Sequence, residues 1–307
     1  MAPQQLITRQ WRLRITRAHA AGPRSSGTQG VLVTVRIVIP NVIHFVFGLS
    51  PDFGGKPFSL VHHLAVRSAY EVNRPDKIYL HCKHRPSGEW WDRSLPYLDL
   101  VDLEPPTAVA GVPIEHVAHR ADVARLDILC AQGGIYLDLD VLCVRPFTPL
   151  LDHQVVLGAQ ESIDPAAPGG PLRRDGLCAS VILAEPGAEF MRTWRDGLDP
   201  AKSLWSGFRS TGYDEHWDEY SVRYPEMLAN RHPDLVHVEG HRSFFWPSWN
   251  APGLSMLFDE GDEEFPDAYC HHLWEMNAWE PYLKDLSIAN LKRGKTPFSR
   301  LAGRFLD

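Results

Sequence analysis

The sequence predicts an α/β protein with a mainly parallel sheet flanked by helices. Short β-branched and aromatic runs, such as VRIVIPNVIHFVFG from Val35 and IYLHC at Ile78 to Cys82, are separated by helix-like stretches. The repeat of roughly 30 residues is that of βαβ units. The 307 residues, 44% hydrophobic and 22% charged, can bury a large core and suit one large domain, or one domain plus an appendage. A net charge of -7 argues against a general nucleic-acid binder, which would carry a basic stripe. The five cysteines, Cys82, Cys130, Cys143, Cys178 and Cys270, have no CxxC spacing and read as reduced, mostly buried thiols. No run reaches the roughly 18 apolar residues of a membrane span, and no signal-peptide pattern is present, so a cytoplasmic enzyme is expected.

The first thirty residues are basic through Arg9, Arg12, Arg14, Arg17 and Arg24, and no acidic residue precedes Asp52. Residues 1–30 are expected to be a disordered tail or a misassigned start, with a transit peptide as the alternative, and the folded domain is expected over 31–285. The first strand ends on Gly48. Ser59 can cap a helix running to Val72, stopped by Asn73, Arg74 and Pro75. After the strand Ile78 to Cys82, the stretch Trp90 to Leu95 reads as a surface excursion. Leu98 to Leu103 reads as an edge strand ended by Pro105 and Pro106. Val155 to Ala159 and Leu177 to Ala184 are further strands, and the Pro, Gly and Arg of Asp164 to Gly176 predict a mobile loop between them. Glu189 to Gly197 predicts a helix carrying Phe190, Met191 and Trp194. From Trp194 onward lie seven of the ten tryptophans, including Trp205, Trp217, Trp246, Trp249, Trp274 and Trp279, which either line a carbohydrate cleft or fill the core. Residues 286–307 are expected to form a tail.

Chemistry concentrates in His119 to Phe147, HRADVARLDILCAQGGIYLDLDVLCVRPF. Val123, Leu126 and Cys130 recur at helical spacing, and Gly133 and Gly134 supply the helix stop. Ile135, Tyr136 and Leu137 predict a strand running into Asp138 and Asp140, with VLCV (Val141 to Val144) continuing it. In extended chain, residues two apart share a face, so both carboxylates would emerge at the strand's C-terminal end, where α/β sheets bind ligands. Asp122 and Arg125, three apart, share a helical face and form either an ordinary ion pair or part of that site.

These residues resemble the DXD-motif glycosyltransferases of the GT-A fold, in particular the sugar-binding-region group with its initiating mannosyltransferases and capsular-polysaccharide relatives, and more distantly the clostridial glucosylating toxins. The family pattern of Asp, Arg three later, Gly-Gly-Ile-Tyr and Asp-x-Asp is met by Asp122, Arg125, Gly133, Gly134, Ile135, Tyr136, Asp138 and Asp140, with the family's interval of 138 minus 122, or 16. Two flanking segments are similar as well: IPNVIHFVFG (Ile39 to Gly48), the family's first strand, and HHLWEMNAW (His271 to Trp279), its C-terminal His and Trp segment. Phe47 stands at the usual Trp position, and Cys178, Ala179 and Ser180 stand where many relatives carry Asn.

The resemblance implies a GT-A, Rossmann-like mixed sheet flanked by helices and a metal-dependent, retaining transfer of a sugar from a nucleotide-diphosphate-sugar donor. It implies Mn²⁺ or Mg²⁺ at Asp138, Asp140 and His272, with His271 as the alternative histidine, because a hard divalent ion neutralises the leaving diphosphate. It places the UDP- or GDP-sugar against Phe45, Val46 and Phe47, and against Asp122, Arg125, Tyr136 and Asp138, with Asp122, Arg125 and Asp140 as the catalytic set. Tyr136 would close the sugar pocket or pack in the sheet, and His44 is a packing residue with a buried hydrogen bond. A glycan, lipid or protein acceptor fits equally. The alternatives are a nucleotide-sugar hydrolase, a nucleotidyltransferase, or a non-catalytic carbohydrate-binding protein on the same fold.

Overall fold

A computed structural model of the protein describes residues 38–167, 169–199 and 216–306. The basic first thirty residues, the start of the first strand run at Val35, and Trp205 lie outside the described residues. Chain order begins with β1 (Val42–Val46), α1 (Leu60–Asn73), β2 (Lys77–Cys82), α2 (Glu89–Ser94) and β3 (Asp99–Asp102). A two-stranded hairpin follows, β4 (Ala108–Val109) with β5 (Val112–Pro113), then α3 (Val117–Gln132) and β6 (Gly134–Leu137). Next come β7 (Val141–Cys143), β8 (Val155–Ser162), β9 (Arg173–Ala184), α4 (Glu189–Asp196), α5 (Tyr224–Arg231) and β10 (His237–Glu239). The remainder holds α6 (His241–Phe244), α7 (Ala251–Phe258), β11 (Cys270–His272), α8 (Glu275–Ala278), α9 (Ile288–Arg293) and α10 (Pro297–Ala302).

Seven strands form one sheet in the order β10-β8-β9-β6-β1-β2-β3. β3, β2, β1 and β6 are mutually parallel, β9 runs antiparallel to both β6 and β8, and β10 is parallel to β8. This is the mixed α/β sheet flanked by helices that the sequence predicts, with β3 on the expected edge. Alternation along β6 divides the apolar residues between the two faces: Ile135 and Leu137 join the cluster around α1, and Tyr136 joins the one around α3 and α4. α1 starts where predicted, with His62 Nδ1 accepting the Ser59 backbone N–H at 2.9 Å.

Gly133 ends α3 at φ 63°, and Gly134 follows at φ 106°. A Cβ at Gly134 would lie 2.6 Å from the Val42 carbonyl oxygen, so only glycine lets β6 come this close to β1. The Gly133 carbonyl accepts from Nε2 of buried His44 at 3.0 Å, and His44 Nδ1 lies 3.1 Å from His81 Nε2. A carbonyl only accepts, so Nε2 of His44 carries the proton, and in the neutral ring Nδ1 accepts from His81. Burial, with each histidine beside the other, lowers the His44 pKa to about 4; burial lowers that of His81 to about 4.

Several expectations are corrected. Trp90 to Leu95 is no surface excursion: it lies mostly in α2, which buries Trp91 against the α1 cluster. The predicted loop to Gly176 is shorter, because β9 already begins at Arg173. Val141 to Val144 does not prolong β6: the chain turns at Asp138 to Asp140, and β7 leaves the main sheet to pair antiparallel with β11. The expected tail at 286–307 instead folds as α9 and α10, whose Leu291, Phe298 and Ala302, with Phe305 beyond, are buried in the main core. Among the described residues, no helix is long and apolar enough to cross a membrane.

Candidate active site

The parallel strands β1 and β6 deliver their C-terminal ends to one cleft of about 830 Å³, whose walls include Val46, Phe47, Asp122, Arg125, Asp138, Asp140 and His272. Seven of the predicted site residues therefore come together. Phe45 does not: it is fully buried within the α1 cluster, because strand alternation turns it into the core. Phe47 lies just beyond the strand, partly buried, with its ring stacked on Phe53 at 5.8 Å.

Asp138 and Asp140 reach the cleft from a tight turn in which the Asp138 carbonyl accepts from Val141 N at 3.1 Å. One ligand atom from each of Asp138, Asp140 and His272 lies within 4.8 Å of the others, and among the described residues no other group of three His, Cys, Asp or Glu does so. The β7–β11 ladder makes this meeting possible by placing His272 opposite Val141. His272 Nε2 approaches Asp140 Oδ1 at 3.2 Å, and Asp140 Oδ2 accepts from the Glu275 backbone N–H at 2.8 Å. Burial opposes ionisation of Asp140, but His272, the Glu275 N–H and nearby His62 outweigh it and hold the carboxyl at about 2. Burial likewise opposes a charged His272, and the Asp140 carboxylate overrides it, raising that imidazole above its ordinary value. Neighbouring His271 points away: its Nδ1 donates to the Trp246 carbonyl at 3.0 Å and burial lowers its pKa to about 4, so His272 is the histidine of this group.

The residues suit a divalent ion. Two carboxylates and an imidazole whose Nε2 faces Asp140 form a donor set acceptable to Mn²⁺ or Mg²⁺. His272 Nε2 and Asp140 Oδ1 face each other at 3.2 Å, so a divalent ion that displaced the imidazole proton would meet both donors.

Arg125 is buried and spans the two motifs. Its Nη2 lies 3.3 Å from both Asp122 Oδ1 and Asp138 Oδ1, while Nη1 donates to the Ala179 carbonyl at 2.8 Å. Asp122 and Arg125 are thus more than an i,i+3 surface pair: the guanidinium joins the helix to the DXD turn. Burial raises the Asp122 pKa, and Arg125 partly opposes the rise. Tyr136 packs in the sheet, the second of its two expected readings. It is 1% exposed, lies under the Arg125 guanidinium at 4.6 Å, and donates its hydroxyl to Asp138 Oδ1 at 2.7 Å. It therefore orients Asp138, and burial raises its own pKa.

β9 supports this arrangement by leaving its ladder. Leu157 pairs with Ile182 but Gly158 pairs with Cys178, so Ala179, Ser180 and Val181 are skipped on the β8 side. The displaced stretch gives the Ala179 carbonyl to Arg125 and the Ser180 carbonyl to Asp138 N, at 2.9 Å. Cys178, Ala179 and Ser180 line the cleft.

Sequence reasoning passed over Lys56, His62 and Glu275, which also line the cleft. Lys56 Nζ and His62 Nε2 lie 3.5 and 3.2 Å from the two Glu275 carboxylate oxygens. Glu275 falls inside the HHLWEMNAW segment already singled out, whereas His62 was legible only as a residue of the first helix. The tryptophans divide between the two readings: Trp194 is core, while Trp217, Trp249 and Trp274 line the cleft.

Comparison with known proteins places these features in company. Residues 97–157 match the family model described as "Glycosyltransferase sugar-binding region containing DXD motif". The chain is 33% identical over 275 residues to Glucan organizing enzyme 1 of Cryptococcus neoformans var. grubii, a match covering 88% of this chain and 71% of that one. It is 28% identical over 153 residues to Inositol phosphoceramide mannosyltransferase 3 of Schizosaccharomyces pombe, covering 45% of this chain and 40% of the relative. Among solved structures, the glycosyltransferase GlyE of Streptococcus pneumoniae TIGR4 aligns with a TM-score of 0.47 at 16% identity, covering 88% of this chain and 61% of that one.

Proposed function

Since the chain belongs to the DXD-containing glycosyltransferase sugar-binding region family and is therefore a glycosyltransferase, we propose that it moves a sugar from a nucleotide-diphosphate-sugar donor to a hydroxyl acceptor, with Mn²⁺ or Mg²⁺ and with retention. The observation that carries this reading is the convergence of Asp138, Asp140 and His272 within 4.8 Å, at a cleft that Asp122, Arg125 and Phe47 also line.

In this reading Val46 and Phe47 face the nucleotide base, and Asp122 turns its partly accessible carboxylate to a hydroxyl of the donor sugar. Arg125 keeps Asp122 and Asp138 at fixed separation by contacting both. Asp138, Asp140 and His272 would hold the ion, which would supply positive charge to offset that of the diphosphate leaving group. Lys56 adds a positive charge near the same wall, currently paired with Glu275. The bond from the anomeric carbon to the phosphate oxygen breaks, the bond to the acceptor oxygen forms on the same face, and the acceptor proton passes to the departing phosphate. Retention follows from the family resemblance.

Thermal unfolding with Mn²⁺ and UDP, GDP or their sugars tests the reading. A ligand that binds only the folded state raises the melting temperature, and the ion with its nucleotide should raise it more than either alone. Asp140→Ala should remain folded, lose the Mn²⁺-dependent part of the shift and lose metal-supported transfer. Absence of a shift with every nucleotide tested would overturn the donor assignment.

A further inference from the structure

The second break in the β8–β9 ladder isolates Asp175. Gln160 pairs with Gly176 and Glu161 pairs with Arg174, so Asp175 has no partner on β8. A residue left over in this way is turned out of the ladder. Here it points toward the cleft wall, with its side chain only 7% exposed. Gly176 makes the break possible: at φ 149°, a Cβ there would lie 2.5 Å from the Val222 carbonyl oxygen.

Four donors collect on this carboxylate. Trp249 Nε1 at 2.9 Å and Gln160 Nε2 at 3.3 Å donate to Oδ2, while Ser162 Oγ at 3.0 Å and Arg173 Nε at 3.1 Å donate to Oδ1. Asp175, Gln160, Arg173 and Trp249 all line the cleft that holds the DXD turn, yet the donor-binding arrangement uses none of them. With two donors on each oxygen, Asp175 is saturated, so its work is to hold its partners in place. An indole has one N–H, and committing it to Asp175 fixes the orientation of the Trp249 ring. Gln160 commits its amide nitrogen to the same oxygen and keeps its carbonyl oxygen as an acceptor.

A fixed aromatic wall beside an amide and a guanidinium matches the chemistry of a pyranose, which has an apolar C–H face and a rim of hydroxyls. An acyl or polyprenyl chain would call for a continuous apolar groove, which buried Gln160 and Asp175 interrupt. We propose that Trp249 and Gln160 form the acceptor subsite for a hexopyranoside and that Asp175 is the residue that positions them. The proposal rests on the donor reading above and assigns the acceptor half of the same cleft.

Transfer is measured with Mn²⁺, the nucleotide sugar selected by thermal shift, and the methyl glycosides of glucose, mannose and galactose, in wild type, W249A, W249F and D175N. In W249A and D175N the KM for the glycoside should rise about tenfold or more, with the donor KM changing less than about threefold. W249F keeps a ring but loses the N–H, and should fall between wild type and W249A. An unchanged glycoside KM in W249A, an equal rise in both KM values, or failure of every methyl glycoside to accept or to compete saturably would overturn the proposal. If D175N does not fold, the two Trp249 variants decide alone. The Mn²⁺ and nucleotide thermal shift is independent of the acceptor: its absence in wild type overturns the donor reading, whereas its presence with a Trp249-insensitive glycoside KM overturns only this assignment.

Discussion

Replacing Tyr136 with Phe removes one oxygen from a fully enclosed position and leaves the ring beneath Arg125. The lost contact is a 2.7 Å hydrogen bond to Asp138 Oδ1, a carboxylate oxygen that Arg125 also approaches beside the cleft. Hydrogen bonds to charged groups contribute about 1.5–3 kcal/mol. The Arg125 guanidinium at 3.3 Å and the Ser180 carbonyl, which accepts from Asp138 N, continue to hold the turn, so the lower end of that range applies. About 1.5 kcal/mol corresponds to roughly a tenfold weakening, the scale on which changes behind a metal ligand act. The expected result is a Mn²⁺ activation constant raised about tenfold, with unaltered preference among donor sugars. The assay is initial transfer rate against Mn²⁺ concentration at saturating donor, repeated for two donors that differ in the sugar. A change in sugar preference with an unchanged Mn²⁺ constant would refute the reasoning, because it would mean that the hydroxyl contacts the donor and not Asp138.

Stability should fall with acid in a defined window. His44 and His81 have folded pKa values lowered to about 4, below the ordinary 6.5, so they stay neutral in the fold while the unfolded chain protonates. Their stabilisation is complete above about pH 6.5 and is lost progressively as pH falls toward 4. The linkage relation gives about 2 kcal/mol per histidine between pH 7 and pH 5. Urea midpoints at the two pH values test this, with His44→Asn expected to flatten the difference; equal midpoints in wild type would contradict it. Removing residues 286–307 should destabilise the protein by more than about 5 kcal/mol, since Leu291, Phe298 and Phe305 leave the core together, each worth roughly 1.5–3 kcal/mol when buried. A truncated chain with an unchanged melting temperature would show that these helices are dispensable. Gly176→Ala should cost at least about 1 kcal/mol through its positive φ and the close Val222 carbonyl, and raise the glycoside KM; thermal unfolding and kinetics report the two effects separately.

The core of the site was legible because it is local. Asp122, Arg125, Gly133, Gly134, Asp138 and Asp140 lie within one helix-turn-strand-turn unit, whose periodicities place them correctly. Tyr136 was harder: simple alternation puts it with Asp138, yet the chain leaves β6 at that residue, so a buried hydroxyl reaches back to a carboxylate already turning away. Phe45 follows alternation into the core, a fact that a short run of apolar residues cannot disclose. The two breaks in β8–β9 pairing are matters of register between strands, and single-strand patterns carry no register. Asp175 was therefore hidden inside a Pro, Gly and Arg-rich stretch that resembles a loop. The C-terminal helices were missed because each is only six residues long, too short to show a periodic face, and Pro297 opens the second of them.

The pairing of β7 with β11 brings the DXD turn against a segment that the ribosome makes more than a hundred residues later, as the contact of Glu275 N with Asp140, 135 positions apart, illustrates. A nascent chain that has emerged only through β9 owns both aspartates and the helix behind them, but no histidine to complete the cluster. The cluster of Asp138, Asp140 and His272 is therefore assembled only when β11 has docked. Fragments released early would carry the signature motif without the three-residue cluster.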